Sequence, residues 1–116
     1  MNVVLYGTRN CDTVKKARAW LDARGVAYDF HDYKIAGIDS ARLGRWIDEF
    51  GWQKLLNRAG TTFRKLSDAD KQGLDDGKAE ALMLAQPSMI KRPIREFGRR
   101  RLLGFDERAW AVELRA

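Results

Sequence analysis

Between Val3 and Tyr33 the chain carries a succession of patterns that few folds accept. Val3, Val4 and Leu5 make a short, β-branched run of the kind that is covered on both faces of a sheet, and the strand is expected over Asn2–Tyr6. Gly7 to Asn10 breaks it. From Asp12 onward Val14, Ala17 and Leu21 recur at helical spacing among Lys15, Lys16, Arg18 and Arg24, and Gly25 ends the helix by taking the left-handed conformation cheaply. Val26, Tyr28 and Phe30 then alternate with Ala27, Asp29 and His31 up to Tyr33, which is strand periodicity. Strand, helix and strand in this order make a right-handed crossover between parallel strands. The loop that leaves the first strand then lies at its C-terminal end, where open α/β sheets bind ligands. Cys11 sits in that loop, at the mouth of the helix.

The middle of the chain changes texture. Asp39 or Ser40 caps a helix on which Leu43, Trp46, Ile47 and Phe50 form one apolar face, and Gly51 ends it. A shorter helical piece spans Trp52 to Asn57, and Thr61 to Leu66 reads as extended or looped. Two further helices are expected, one near Ser67 with Asp70 as its capping partner and one over Gly77 to Ala85, closed by Pro87. Residues 39–90 are too few for a comfortable core of their own, so they are read as a helical insertion within a single domain of residues 1–116. After Pro93, strands Pro93–Phe97 and Arg101–Phe105 flank Gly98-Arg99-Arg100 as a hairpin. Asp106 caps a last helix with Ala109, Trp110 and Leu114 inward and Glu113 and Arg115 outward. The expected architecture is a mixed four-stranded sheet with helices and a helical insertion.

Composition narrows the chemistry. A single cysteine excludes an internal disulfide, and with a single histidine it excludes a conventional zinc site built from this chain. No bound cofactor is expected. Every long apolar run is interrupted by charge, so no membrane span is expected. The first residues lack the basic start, longer apolar run and small-residue cleavage site of a secretory signal, which makes the cytoplasm the expected location. The 22 basic against 16 acidic residues give a net charge of +6, which points to an anionic partner. Lys91, Arg92, Arg95, Arg99, Arg100 and Arg101 concentrate that charge, opposed locally by Glu96 alone. A solvated basic face accounts for many of these as well as a ligand does, and nucleic-acid binding rests on this stretch alone.

Cys11 is the sharpest chemical candidate. The thiolate is the reactive form, and the positive end of a helix with cations nearby favours it. Arg9 lies two residues before it and Lys15 four after. In Asn10-Cys11-Asp12-Thr13-Val14 the position of a second thiol is held by Val14, so a mixed disulfide at Cys11 has to be resolved by glutathione or another external thiol. Arg64 and Arg92 are candidate anion clamps, because a guanidinium presents a planar fork to carboxylates and oxyanions. From spacing alone each also reads as a surface arginine. Pro93 reads as a trans proline opening an edge strand, His31 as structural or surface, and Trp20, Trp46, Trp52 and Trp110 as core or interface residues.

Taken together, Val4-Leu5-Tyr6-Gly7, Asn10-Cys11-Asp12-Thr13-Val14-Lys15-Lys16-Ala17, Phe30-His31-Asp32-Tyr33, Gly51-Trp52, Leu55-Leu56-Asn57, Gly60 to Leu66, Ile90-Lys91-Arg92-Pro93-Ile94 and Leu102-Leu103-Gly104-Phe105 resemble the arsenate-reductase-related family. That family includes the Spx regulators, and the similarity is greatest to its YffB proteins. The resemblance implies a thioredoxin-like fold with a helical insertion, Cys11 as nucleophile, Asn10 and cis Pro93 shaping the site, and Arg64 and Arg92 as oxyanion-binding residues. A third arginine of the arsenate reductases falls on Gly104, with Arg99, Arg100 and Arg101 nearby. The expected activity is therefore a glutathione-dependent monothiol reductase acting on an anionic or disulfide substrate. Arsenate reduction and an Spx-like regulatory role through RNA polymerase, a protein partner, are the alternatives. Spx proteins commonly carry a Cys-x-x-Cys switch, which Val14 removes here.

Overall fold

In a computed structural model, which describes residues 3–115 with the side chains of Leu114 and Arg115 left aside, the apolar run becomes β1 (Val3–Gly7). It is followed by α1 (Asp12–Ala23), β2 (Tyr28–Asp32), α2 (Tyr33–Ala36), α3 (Ser40–Phe50), α4 (Trp52–Leu55), α5 (Thr61–Arg64), α6 (Asp68–Lys71) and α7 (Asp76–Ala85). A 3-10 turn (Pro87–Met89), β3 (Ile94–Phe97), β4 (Arg100–Leu103) and α8 (Glu107–Arg115) complete the order. The expectations at Asn2 and at the side chains of Leu114 and Arg115 fall outside the described residues. Met1–Asp32 with Arg92–Ala116 form one compact unit and Tyr33–Lys91 another.

The first unit is built on a mixed sheet in the order β2-β1-β3-β4. β1 runs parallel to β2 and antiparallel to β3, and β4 returns antiparallel to β3. Alternation sends Leu5 to the face covered by α1 and α8, where it is fully buried with Ala17, Leu21, Trp20 and Trp110. Tyr28 and Phe30, in register with Val3 and Leu5, pack on the same cluster. The rings of Trp20, Phe105 and Trp110 meet edge to face at 4.9–6.1 Å, the geometry that aromatic quadrupoles favour. The other face of the sheet carries Tyr6, whose hydroxyl donates to Glu96 Oε1 at 3.1 Å, while Arg101 Nε donates to Glu96 Oε2 at 2.8 Å.

Three details differ from the sequence reading. β2 starts at Tyr28 and not at Val26, and it stops at Asp32, because Tyr33 is buried where the chain turns into α2. The hairpin loop is two residues, Gly98 and Arg99, with Gly98 at φ +60°, so β4 starts at Arg100 and stops at Leu103. Thr61–Arg64 is a helical turn and not an extended segment. Its β-branched threonines favour extension, but Phe63 is buried and the Thr62 hydroxyl meets the Ser88 hydroxyl at 3.1 Å, so tertiary contacts override propensity.

The second unit is helical. Asp39 caps α3 by accepting from the Arg42 amide at 2.8 Å, and the apolar face of α3 buries Leu43, Trp46 and Ile47. Ser67 and Asp75 cap α6 and α7 in the same way, accepting from the amides of Asp70 and Lys78. An antiparallel bridge of Leu56 with Ile90, flanked by Asn57 N–H to Met89 O and Lys91 N–H to Leu55 O, closes the unit. Among the described residues no helix is long and apolar enough to cross a membrane.

Candidate active site

The sheet order gathers three strand ends. Gly7 ends β1 in register with Asp32 at the end of β2, and Tyr6 pairs with Ile94 at the start of β3. The loop after Gly7 and the Arg92-Pro93 segment before Ile94 therefore emerge side by side. α1 begins immediately after that loop, and it approaches β1 closely. A Cβ added at Gly7 would lie 2.7 Å from Cγ2 of Val14, so glycine is what lets the helix start there. Thr8, next along, is buried.

Cys11 occupies the N-cap position of α1 with an extended backbone (φ −97°, ψ 123°), and its carbonyl accepts from the Lys15 amide at 2.9 Å. Its half-buried sulfur closes no side-chain cap in the manner of a serine, but the first-turn amides lie close enough to favour negative charge on it. Burial pushes the thiol up. The Val14 amide, a hydrogen bond and the charge of the Arg92 guanidinium, and the Thr13 amide together pull it down further, so Cys11 is held below the ordinary cysteine range. Of the cations near it in sequence, neither Arg9 nor Lys15 is what acts on the sulfur. Arg92 is, and it arrives from 81 residues away in sequence through the β1–β3 pairing.

The Arg92–Pro93 peptide bond is cis, so the trans reading from sequence alone does not hold. Pro93 is buried, and its carbonyl accepts from the Gly104 amide at 2.8 Å. Gly104 in turn accepts from Trp110 Nε1 at 3.1 Å and has φ +80°, a conformation in which an arginine would be strained. Two of the neighbouring arginines are engaged elsewhere. Arg100 pairs with Glu113 at 3.1 Å, and Arg101 pairs with Glu96. Asn10 is exposed in the turn before Cys11. Arg64 is exposed at the end of α5 in the second unit, its carbonyl held by Lys71 Nζ at 2.8 Å. Asp32, whose carboxylate stands 3.6 Å from Arg9 Nε, was not singled out from the sequence, although its place at the end of an alternating strand is legible there. Among the described residues no cluster of side chains could hold a metal ion.

The ArsC family model matches residues 6–112. An uncharacterized protein of Haemophilus influenzae is 38% identical over 108 residues, covering 93% of this chain and 95% of its own. The global transcriptional regulator Spx of Streptococcus mutans is 28% identical over 107 residues, covering 90% of this chain and 77% of its own. Among solved structures, a YFFB protein is 63% identical with a TM-score of 0.92, covering 96% of this chain and 97% of that one. A glutaredoxin from Archaeoglobus fulgidus, 14% identical with a TM-score of 0.50 over 99% of this chain and 87% of that one, is similar in fold alone. The fold is thioredoxin-like, with a mixed four-stranded sheet.

Proposed function

The chain belongs to the ArsC family, whose arsenate-reductase relatives are redox enzymes, and from that premise we propose that it is a glutathione-dependent monothiol reductase with Cys11 as its nucleophile. The Cys11 thiolate attacks one sulfur of a disulfide R–S–S–R′. A Cys11–S–S–R bond forms as the original S–S bond breaks, and R′S⁻ leaves. With no second cysteine in the chain, a glutathione thiolate then attacks the mixed disulfide, freeing the Cys11 thiolate and carrying R away as a disulfide with glutathione. The two electrons come from external thiols, so the protein would work where reduced thiols are abundant, as expected of the cytoplasm. The observation that carries this reading is the placement of Cys11 at the N-cap of α1, where the Val14 and Thr13 amides and the Arg92 guanidinium favour the thiolate against its burial. Arg92 would hold that thiolate in the resting state, and Arg64 is assigned to binding an anionic group on the family resemblance.

The test is the pH dependence of Cys11 alkylation, with mass spectrometry after exposure to oxidised glutathione. A midpoint below that of a free thiol and a single glutathione adduct, both lost in Cys11→Ser, are the expected results. Ordinary thiol behaviour with no adduct refutes the reading. For arsenate reduction, the third arginine position is Gly104 and the guanidinia of Arg100 and Arg101 are paired with acids, which favours disulfides over arsenate. The Spx relatives, global transcriptional regulators, support a second reading, a regulatory protein, for which the family resemblance implies RNA polymerase as the partner. Retention of the polymerase on the immobilised protein, unaffected by Cys11→Ser, would favour it.

A further inference from the structure

Arg9 and Asp32 form an uneven pair. The Arg9 side chain is 68% exposed, whereas the Asp32 side chain, 3.6 Å from its Nε, is only 10% exposed. Asp32 is fixed by the sheet, since it closes β2 opposite Gly7. The guanidinium thus has a nearly buried carboxylate at ion-pair distance from its Nε, while most of the side chain stands in solvent, two residues before Cys11 in sequence. An unanchored surface arginine has many rotamers to give up before it can bind an anion. Anchoring through Nε restricts them in advance and leaves donors of the planar fork for a second carboxylate. The groups that acidify Cys11 are the amides of Val14 and Thr13 and the Arg92 guanidinium, and Arg9 is not among them. Two cations of the same unit therefore differ in setting: one acts on the nucleophile and the other is presented to solvent.

We propose that Arg9, oriented by Asp32, is a recognition residue that selects carboxylate-bearing disulfides for attack by Cys11. This rests on the monothiol reading above. It deepens that reading by naming the substrate's charged group and the residue that meets it. The chemistry is the exchange already balanced: a new S–S bond at Cys11, the substrate's S–S bond broken, and one thiolate released.

The experiment uses the full chain and two disulfide probes, the dianionic dithiobis-nitrobenzoate and the neutral dithiodipyridine, and measures the rate constant of each with Cys11 at low salt. The readout is the ratio of anionic to neutral rate. Arg9→Ala should lower that ratio about fivefold, and the wild-type preference itself should weaken at high salt, as expected of a charge presented in solvent. Arg9→Lys should retain part of it. Asp32→Asn, which frees the guanidinium without deleting it, should lower the ratio partway. The pH profile of alkylation should stay in place in Arg9→Ala, since Arg9 does not act on the sulfur. An unchanged ratio in Arg9→Ala overturns the proposal, and so does an equal fall of both rates with a displaced pH profile, which is what a merely structural arginine would give. A ratio lowered by Arg9→Ala but untouched by Asp32→Asn removes Asp32 from it. Failure of the monothiol reading looks different: wild-type Cys11 then reacts even with the neutral probe only near the pH of a free thiol, and both readings fall together.

Discussion

The approach of α1 to β1 gives the most direct test of how the site is built. Gly7 lacks a positive φ, so alanine suits its backbone, and replacing glycine removes unfolded-state freedom worth about 0.5–1 kcal/mol. The obstacle is contact. The added Cβ would lie 2.7 Å from Val14 Cγ2 and 3.3 Å from Cγ1, where ordinary contact is 3.4–4 Å. Val14 is fully buried, and a β-branched residue in a helix has one strongly preferred χ1, so it cannot swing away. Relief therefore requires the helix start to move by about 0.7 Å or more, and overpacking of this kind costs about 1–3 kcal/mol. Gly7→Ala should lose about 1–2 kcal/mol net in urea denaturation. Because the Val14 amide is also one of the groups that favour the Cys11 thiolate, alkylation at pH 7 should slow about threefold. Val14→Ala removes both Cγ atoms and leaves Val14 Cβ 3.6 Å from the new methyl, an ordinary contact. In that background Gly7→Ala should become stabilising by about 0.5 kcal/mol, a reversal of sign with a coupling of about 2 kcal/mol. A Gly7→Ala penalty that is the same with valine or alanine at position 14 would refute the argument that Val14 sets the position of the helix.

Other expectations follow from single contacts. Arg92→Met should move the Cys11 alkylation midpoint upward and slow the reaction near neutrality while leaving the high-pH plateau in place; an unmoved midpoint would show that the amides alone acidify the thiol. The linked stability has a definite sign: a thiol acidified by folding is deprotonated first in the native state, so between its folded and unfolded midpoints wild type gains stability with rising pH, and Cys11→Ser, compared by urea denaturation at several pH values, should not. Trp110→Phe keeps edge-to-face contact with Trp20 and Phe105 but loses the Nε1 bond to Gly104 O and some buried area, about 2 kcal/mol together, measurable by urea denaturation. Arg95 is 1% exposed, its guanidinium 5.3 Å over the Trp110 ring with Nε and Nη1 lacking acceptors, so Arg95→Met should stabilise the fold by about 1 kcal/mol; a loss instead would mean that its contacts with Trp110 and Glu113 outweigh the desolvation of the cation.

The parts of this fold that were legible in the sequence are those in which one pattern carries one element. Val14, Ala17 and Leu21 at helical spacing, and Tyr28 and Phe30 in alternation, fall on α1 and on the strand face they predict, because burial on one side enforces those periods, while Val26 packs on the same cluster from ahead of the strand. Asp39, Ser67 and Asp106 accept from the first-turn amides of the helices they precede. Where a segment is too short to show a period, burial of one residue decides its conformation, as Phe63 does for Thr61–Arg64 and Tyr33 for the end of β2. Cys11 could be named from its loop and the missing second thiol. Its partner could not be chosen from residue spacing, because Arg9 and Lys15 are nearer in sequence than Arg92, and only the antiparallel pairing of β3 with β1 decides among them.

The same pairing explains why a late run of positive charge does not amount to a basic face. In β4 the side chains of Arg100 and Arg101 point to opposite sides of the sheet, as successive strand residues must. One meets Glu113 of α8 and the other meets Glu96 of β3, where Tyr6 shares the carboxylate. Two of the cations that make the chain basic are thus paired within it, on different faces, and a third, Arg95, is buried in β3 opposite Leu102. What distinguishes Arg92 is its position before β3 begins, outside the alternation that assigns its neighbours to a face, and so beside the loop that leaves β1. Pro93 keeps that segment out of the ladder, because it has no amide to donate and its carbonyl is taken by Gly104. Three residues later an arginine faces Trp110, as Arg95 does; at residue 92 the guanidinium reaches the sulfur. The acidity of Cys11 is therefore a consequence of where two strands start and stop, more than of the charges written beside it in the sequence.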